Sequence, residues 1–398
     1  MSDIYDEIRK ALSLSRKMVG EYLNWYDKIS FGSTHNTVYS DIIEFVNFRI
    51  ETADSCLGLI ENGKISDSLG LSRSLLENYL LLTLMCRGTK YFRLQSLEDK
   101  TPEEFARYLV EQQTDLVEHK KSGSADALYI AKYPRGKRHL MYVFEGFSSN
   151  DDEGFIIPAH FFHFQEFHPE TMRLKDADYF EYYKPGPEAR RVQKDQRANA
   201  EALYRFYLSY DALLQCLELN EIADDNVIAR IEAHYTFLGK FLHPTHNAAR
   251  LLHEKANYYA GRPEIGMDQE YTKASILLSA LYVAYLLAGI LDEVASFFES
   301  APPKYVTDAG TADLRELTSS VRSSFPYFWF LFNGAPLWDK FNHAIHHVND
   351  EELAGYGGYE GVPDSAIAFD WDIYRHLSSA ITAWTNGRVG RYPSPLEG

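Results

Sequence analysis

The chain has 398 residues, 45% of them apolar, enough for one large core or for two or three average domains. Lys and Arg number 40 against 57 Asp and Glu, a net charge of −17 that repels phosphate backbones except where cations cluster locally. Cys56, Cys86 and Cys216 stand far apart, which excludes a disulfide framework and a cysteine zinc ribbon.

The first residues, MSDIYDEIRK, carry charges where an export signal needs an apolar run, so a reducing cytoplasm is the expected location. Apolar residues then recur at helical spacing from Ile4, Ile8 and Leu12 to Met18, Tyr22 and Trp25. Between about Thr37 and Cys86 two long helical patterns are broken at Asn62 and Gly63, with Ser66 and Asp67 as candidate caps, and they predict an antiparallel helix pair. Thr101, Pro102, Glu103 and Glu104 combine a cap, a first-turn proline and early acids, opening a helix to about Lys120.

From about Lys121 to Pro187 the texture changes. Prolines and a polar SSNDDEG stretch separate two β-friendly runs, MYVFEGF and GFIIPAHFFHF, which predict two strands joined by a loop. Helical periodicity resumes near Glu188 and runs to about Glu218. Asp224, Asp225 and Asn226 cap the next helix, which carries Ile228, Ile231, Tyr235, Leu238 and Leu242 on one stripe.

Ala274 to Leu291 form 18 residues without a charge, at the lower edge of a bilayer span. Its alanines, Ser275, Ser279 and Gly289, and the tight flanks Lys273, Asp292 and Glu293, favour a central bundle helix and no membrane contact. The aromatic run FPYFWFLF from Phe325 follows, then a helix near Trp338 to Val348, a flexible GYGGYEG loop, and a last helix near Ser365 to Thr385. The fold class is therefore all-α, a multi-helix bundle with a small β-hairpin or irregular insertion around residues 121–187. Its parts are residues 1–120, the insertion 121–187, a bundle core at 188–300 and an extension at 301–398.

Several enzyme signatures are missing: no Gly-x-Ser-x-Gly elbow, no phosphate-cradling Gly-x-x-x-x-Gly-Lys followed by Ser or Thr (Gly58 to Lys64 has the spacing, but Ile65 follows), no His-Glu-x-x-His, and no Glu three residues before any of the 14 histidines. Two stretches carry chemistry instead. In LSRSLLENYLLL, Arg73 and Glu77 share a helix face, and Arg73 falls on the stripe of Leu69, Leu76 and Leu80, so it must find a partner. That partner is either Glu77, in the less favourable order for simple helix support, or a second helix or an anionic ligand.

In HYTFLGKFLHPTHNAARLLH, Pro244 disfavours α geometry at His243, so one helix ends there and another begins. His246, Arg250 and His253 share a face of the second helix. Lys240 lies one turn before His243, and Arg230 one turn before His234. An imidazole beside a cation titrates near neutrality and can move protons or hold an anion. Lys240, His243 and His246 with Arg73 and Glu77 are thus the candidate catalytic set, and Arg230, His234, Asn247 and Arg250 the candidate ligand-binding set. The alternative is a polar tie across a kinked helix pair. His343 and His347 on one helix could clip a metal, although a solvated helix end explains them as well; no metal site and no cofactor is assigned.

The helix from about Ile50, the ENGKISDSLGLSRSLLENYLLL turn and helix, and YTFLGKFLHPTHNA resemble a bacterial all-helical domain family akin to the HEPN (higher eukaryotes and prokaryotes nucleotide-binding) superfamily. The resemblance implies an α-helical bundle that binds a nucleotide or RNA. It also implies metal-independent ribonuclease chemistry in stress or phage defence, by homodimers that bring together an Arg and a His from each subunit. In that signature an arginine lies four to six residues before the histidine. Here Arg230 precedes His234 with only three residues between them, Lys240 takes the place of an arginine before His243, and Arg250 follows His246. Two other functions compete with this one. One is a non-catalytic interaction or sensor protein that contacts a protein partner through residues 121–187; the other is a metal-dependent helical enzyme.

Overall fold

The computed structural model describes residues 3–32, 38–123, 127–134, 136–145, 167–168, 173–174, 209–243, 252 and 270–385. α1 (Ile4–Lys28) buries Ile8, Ala11, Met18, Tyr22 and Trp25 along one stripe and gives its other faces to charge. α2 (Val38–Glu61) and α3 (Ile65–Arg87) pack together across the short turn at Asn62 and Gly63, and Ser68 Oγ donates to the Cys56 carbonyl at 3.2 Å. Lys64, rather than Ser66 or Asp67, occupies the N-cap position of α3. α4 (Pro102–Lys121) opens on a reciprocal capping box between Thr101 and Glu104, as the sequence predicts.

α5 (Tyr210–Leu219) is the described part of the helix expected from Glu188; residues 188–208 lie outside the described residues. α6 (Asp225–Leu242) begins where Asp224 Oδ1 accepts from the Val227 amide at 2.8 Å. It ends at His243, whose φ −115°, ψ 84° is the non-helical backbone that Pro244 demands.

The all-α expectation is met, and its centre is α7 (Lys273–Glu299), which packs against α1, α2, α3 and two later helices, α8 (Ala312–Ser324) and α11 (Ile373–Thr385). α7 is long and apolar enough to cross a membrane, with a mean hydropathy of 2.1, but 94% of that stretch is buried among the other helices. A helix enclosed by neighbours needs apolar residues all round.

α9 (Leu337–His347) and α10 (Asp350–Gly355) precede α11. The last helix starts at Ile373, not near Ser365, where there is only a short 3₁₀ turn at Asp364–Ala366. Asp372 accepts from the Arg375 amide at 3.2 Å and so supplies the cap that fixes the later start. The GYGGYEG stretch also contains a 3₁₀ turn, Tyr359–Gly361.

The strands are β1 (Ser30–Phe31), β2 (Lys90–Ser96), β3 (Ala127–Lys132), β4 (His139–Glu145), β5 (Phe167–His168), β6 (Arg173–Leu174) and β7 (Val306–Asp308). MYVFEGF does supply a strand, β4, but its partners differ from those expected. It lies between β2 and β3 in an antiparallel sheet ordered β2-β4-β3, with Arg93 opposite Tyr142 and Ala131 opposite Met141. GFIIPAHFFHF lies outside the described residues. The sheet draws strands from both sides of residue 121, and α4 covers it, with Phe105 packed against Leu97, Ile130 and Leu140.

The FPYFWFLF run is neither helix nor strand. It threads through the core with Tyr327, Phe328, Trp329 and Phe330 buried. Asn333 clamps its shape, accepting from the Phe330 amide at 2.6 Å and donating to the Phe328 carbonyl at 2.7 Å. Tyr327 donates to the buried Glu7 carboxylate at 2.7 Å and so ties the run to α1.

Candidate functional site

α6 carries polar groups at both ends, and the two ends do different things. Toward its C-terminal half it lies along α3, so the two chemistry-bearing stretches of the sequence meet. The α3 backbone at Gly70 passes close to α6, where an added Cβ would stand 3.7 Å from the Phe241 carbonyl. One turn along, Arg73 reaches across to α6. Its Nε donates to Glu77 at 3.3 Å, its Nη2 donates to the Tyr235 hydroxyl, and its guanidinium lies 4.1 Å from the centre of the Tyr235 ring.

Tyr210 on α5 stacks on Tyr235 with ring centres 3.5 Å apart and planes 8° from parallel. Gly239 admits the guanidinium: a Cβ there would stand 3.0 Å from Arg73 Nη1. Burial and the Glu77 charge raise the Tyr235 hydroxyl above its usual pKa, against the pull of Arg73, so the phenol stays protonated. The Arg73 side chain is only 17% exposed, and its charge is shared between a carboxylate, a hydroxyl and an aromatic face.

Lys240 and His243 continue α6 beyond this cluster and are exposed. The Lys240 ammonium lies 6.0 Å from the Phe237 ring centre. His246, Asn247 and Arg250 lie outside the described residues.

The N-terminal half of α6 is built differently. His234, expected among the ligand-binding residues, is sealed in the core at 0% exposure, with Phe328, Phe330 and Phe369 rings around it. Its Nε2 lies 3.2 Å from the Trp329 carbonyl, which can only accept, so that nitrogen carries the proton. Nδ1 then accepts from the Tyr282 hydroxyl at 2.8 Å. Burial, with a smaller contribution from the charge of Arg230, lowers its pKa to about 3, so this histidine is neutral at physiological pH. Both ring nitrogens are engaged, and none remains for a ligand or a proton shuttle.

Arg230, one turn earlier, is partly exposed and lines a cleft of about 560 Å³ with Asp224, Asn226, Trp329, Asp364, Ser365, Phe369 and Trp371. Its Nη2 donates to the Leu331 carbonyl at 3.2 Å, and its guanidinium lies 5.5 Å from the Trp329 ring centre. Burial lowers its pKa while Asp224 and Asp364 oppose that fall, and a guanidinium stays charged throughout. Arg230 Nε and Trp329 Nε1 are both buried with no hydrogen-bond partner among the described residues. Arg230 and His243 stand thirteen residues apart on α6, about 20 Å along the axis. Among the described residues, Arg230 and His234 therefore belong to a different place from Lys240 and His243.

His343 and His347 face each other on α9 with ring centres 5.0 Å apart. Among the described residues no group of three His, Cys, Asp or Glu side chains is arranged to hold a metal ion. The sequence reading passed over Tyr210, Trp329, Asp364 and Trp371 as site residues. Trp329, Asp364 and Trp371 come from segments remote from α6 in sequence, Tyr210 from the helix just before it, and only the fold brings them to their partners. No family model, curated protein or solved structure matches the chain.

Proposed function

We propose that this protein binds RNA or a nucleotide where α3 meets the C-terminal end of α6, in the manner that the resemblance to HEPN-like helical proteins implies. The observation that supports this most is the meeting itself: Arg73 and Glu77 from one stretch pack on Tyr235 and Gly239 from the other, and exposed Lys240 and His243 follow on the same helix. A cation one turn before an exposed imidazole can attract a phosphate against the acidic net charge, and an imidazole can serve as general acid or base toward a hydroxyl. On this reading the cytoplasmic protein serves in stress or phage defence, as a homodimer, and any cleavage of RNA is metal-independent.

The test is to incubate purified protein with total RNA and with single nucleotides in excess chelator, using wild type, Lys240→Ala and His243→Ala. Retention of RNA or nucleotide by wild type, weakened in Lys240→Ala, is the expected result, and any cleavage should vanish in His243→Ala. The reading fails if wild type neither retains nor cuts RNA and binds no nucleotide, or if both variants behave as wild type does.

A second reading, a non-catalytic interaction or sensor protein, is favoured by one specific observation. Arg73 already holds Glu77, the Tyr235 hydroxyl and the Tyr235 ring, a closed set of partners that needs no ligand.

A further inference from the structure

His343 and His347, which the nucleic-acid reading does not use, stand one turn apart on α9. What α9 packs against fixes its rotation. Ala344 is buried, Phe341 meets the Tyr359 ring edge-on with centres 5.4 Å apart, and Asp339 is held 2.8 Å from His376 of α11. Residues four apart share a helix face, so the row that begins at Asp339 runs through half-buried His343 and reaches solvent at exposed His347. The two imidazole centres lie 5.0 Å apart with their planes at 41°. No hydrogen bond or ion pair among the described residues engages either ring.

The sign of the local field favours a cation. Both histidines lie in the last two turns of α9, at the negative end of its dipole, and Asp350, Glu351 and Glu352 follow in the first turn of α10. An anion would meet the wrong charge there. The one lysine of α9, Lys340, is held 2.9 Å from Asp364 and donates to the Glu360 carbonyl at 3.3 Å, so its charge is already matched. The spacing suits a single ion between the rings. A Zn–N bond is about 2.0–2.1 Å and a ring nitrogen lies about 1.2 Å from its ring centre, so two imidazoles at about 90–110° on one ion have centres about 4.5–5.3 Å apart. The observed 5.0 Å falls inside that window. Imidazole suits borderline ions, copper above zinc, whereas magnesium and calcium require oxygen ligands.

We propose that His343 and His347 clip a borderline divalent transition-metal ion, copper most tightly, at the C-terminal end of α9. Among the described residues no third His, Cys, Asp or Glu side chain joins the pair, so water completes the coordination. The ion bridges consecutive turns and holds the end of the helix closed.

The experiment is calorimetric titration of the untagged full-length protein near neutral pH with Cu²⁺, Zn²⁺ and Mg²⁺, joined to electron paramagnetic resonance of the copper-loaded protein. Cu²⁺ should saturate with a Kd between about 1 and 100 μM, Zn²⁺ should bind at least about tenfold more weakly, and Mg²⁺ should not bind. The copper spectrum should carry the signature of two nitrogen ligands, and His347→Ala should remove it. His343→Ala and His347→Ala should each weaken Cu²⁺ binding at least about tenfold, since either leaves a lone imidazole, whereas His346→Ala should change it by less than about twofold. Affinity should also fall in acid, because only deprotonated imidazole binds a metal. His347 is exposed, so His347→Ala should keep the wild-type melting temperature and decides the matter even if His343→Ala folds poorly. No saturation by Cu²⁺ up to about 1 mM, unchanged binding in His347→Ala, or a loss in His346→Ala as large as in His347→Ala would each overturn the proposal.

Discussion

Arg73 and Arg230 invite comparison, because each is a partly buried arginine set against an aromatic ring at the surface of α6. Arg73 donates to Glu77 and to Tyr235 and lies on the Tyr235 ring. Arg230 donates to one backbone carbonyl, lies on the Trp329 ring, and keeps Nε unpaired beside a cleft. Burial of a guanidinium therefore does not by itself mark a site. What separates the two is how many of their donors the fold has already engaged.

The largest effect that could break this comparison is acid. The wall behind Arg230 rests on neutral His234, whose folded pKa of about 3 lies far below the ordinary histidine value of 6.5. The unfolded chain takes up this proton first as pH falls, so the stability is full above about 6.5 and is lost between there and about 3, at about 1.4 kcal/mol per pH unit. His376 has the opposite sign. Burial would lower its pKa, but the hydrogen bond to Asp339 at 2.8 Å and the negative charge there outweigh burial and raise it. Its contribution is thus present in acid and lost as pH rises through the raised value. Urea unfolding of wild type and His234→Gln from pH 7 to pH 4 should give a distinctly shallower slope in the variant. Equal slopes would remove His234 as the acid-sensitive tie.

A smaller effect sharpens the same contrast. Arg73→Met removes a guanidinium with partners and should lower stability by about 1–2 kcal/mol, leaving Glu77 and Tyr235 without their shared donor. Arg230→Met relieves an unpaired Nε but also loses the Nη2 bond to the Leu331 carbonyl, two effects of opposite sign, and should change stability by no more than about 0.5 kcal/mol. Paired urea melts at neutral pH decide it, and an equal loss in both variants would erase the distinction drawn here.

Periodicity and capping made the helical frame legible because those signals are local. Thr101 with Glu104, Asp224, and the break forced by Pro244 at His243 each stand where the sequence places them. The sheet was half legible. β4 reads as a strand, but its partners β2 and β3 are set by which apolar face α4 covers, and that is a property of the packed structure. In the same way, Arg73 announced its need for a partner by its place on a leucine stripe, whereas Tyr235 gave no sign of being that partner. His234 looked like a ligand because a histidine one turn after an arginine is chemically suggestive. Only the ring of Phe328, Phe330 and Phe369, from chain about a hundred residues away, shows that it is a core group. Trp329 and Trp371 were hidden for the same reason.

The finest test uses two glycines on the α3–α6 seam. Replacing glycine by alanine inside a helix favours folding by about 0.5–1 kcal/mol when the methyl has room. At Gly70 an added Cβ would meet the Phe241 carbonyl at 3.7 Å, an ordinary contact, so Gly70→Ala should raise stability by that amount. At Gly239 the same methyl would sit 3.0 Å from Arg73 Nη1, and the guanidinium must shift by a few tenths of an ångström from partners it already holds. Gly239→Ala should therefore gain less than Gly70→Ala or turn slightly destabilising, and the shortfall should disappear when Arg73→Met is combined with it. A double-mutant cycle on thermal unfolding measures that coupling directly. If Gly239→Ala gains as much as Gly70→Ala with Arg73 in place, the guanidinium is not held as tightly as its hydrogen bonds imply.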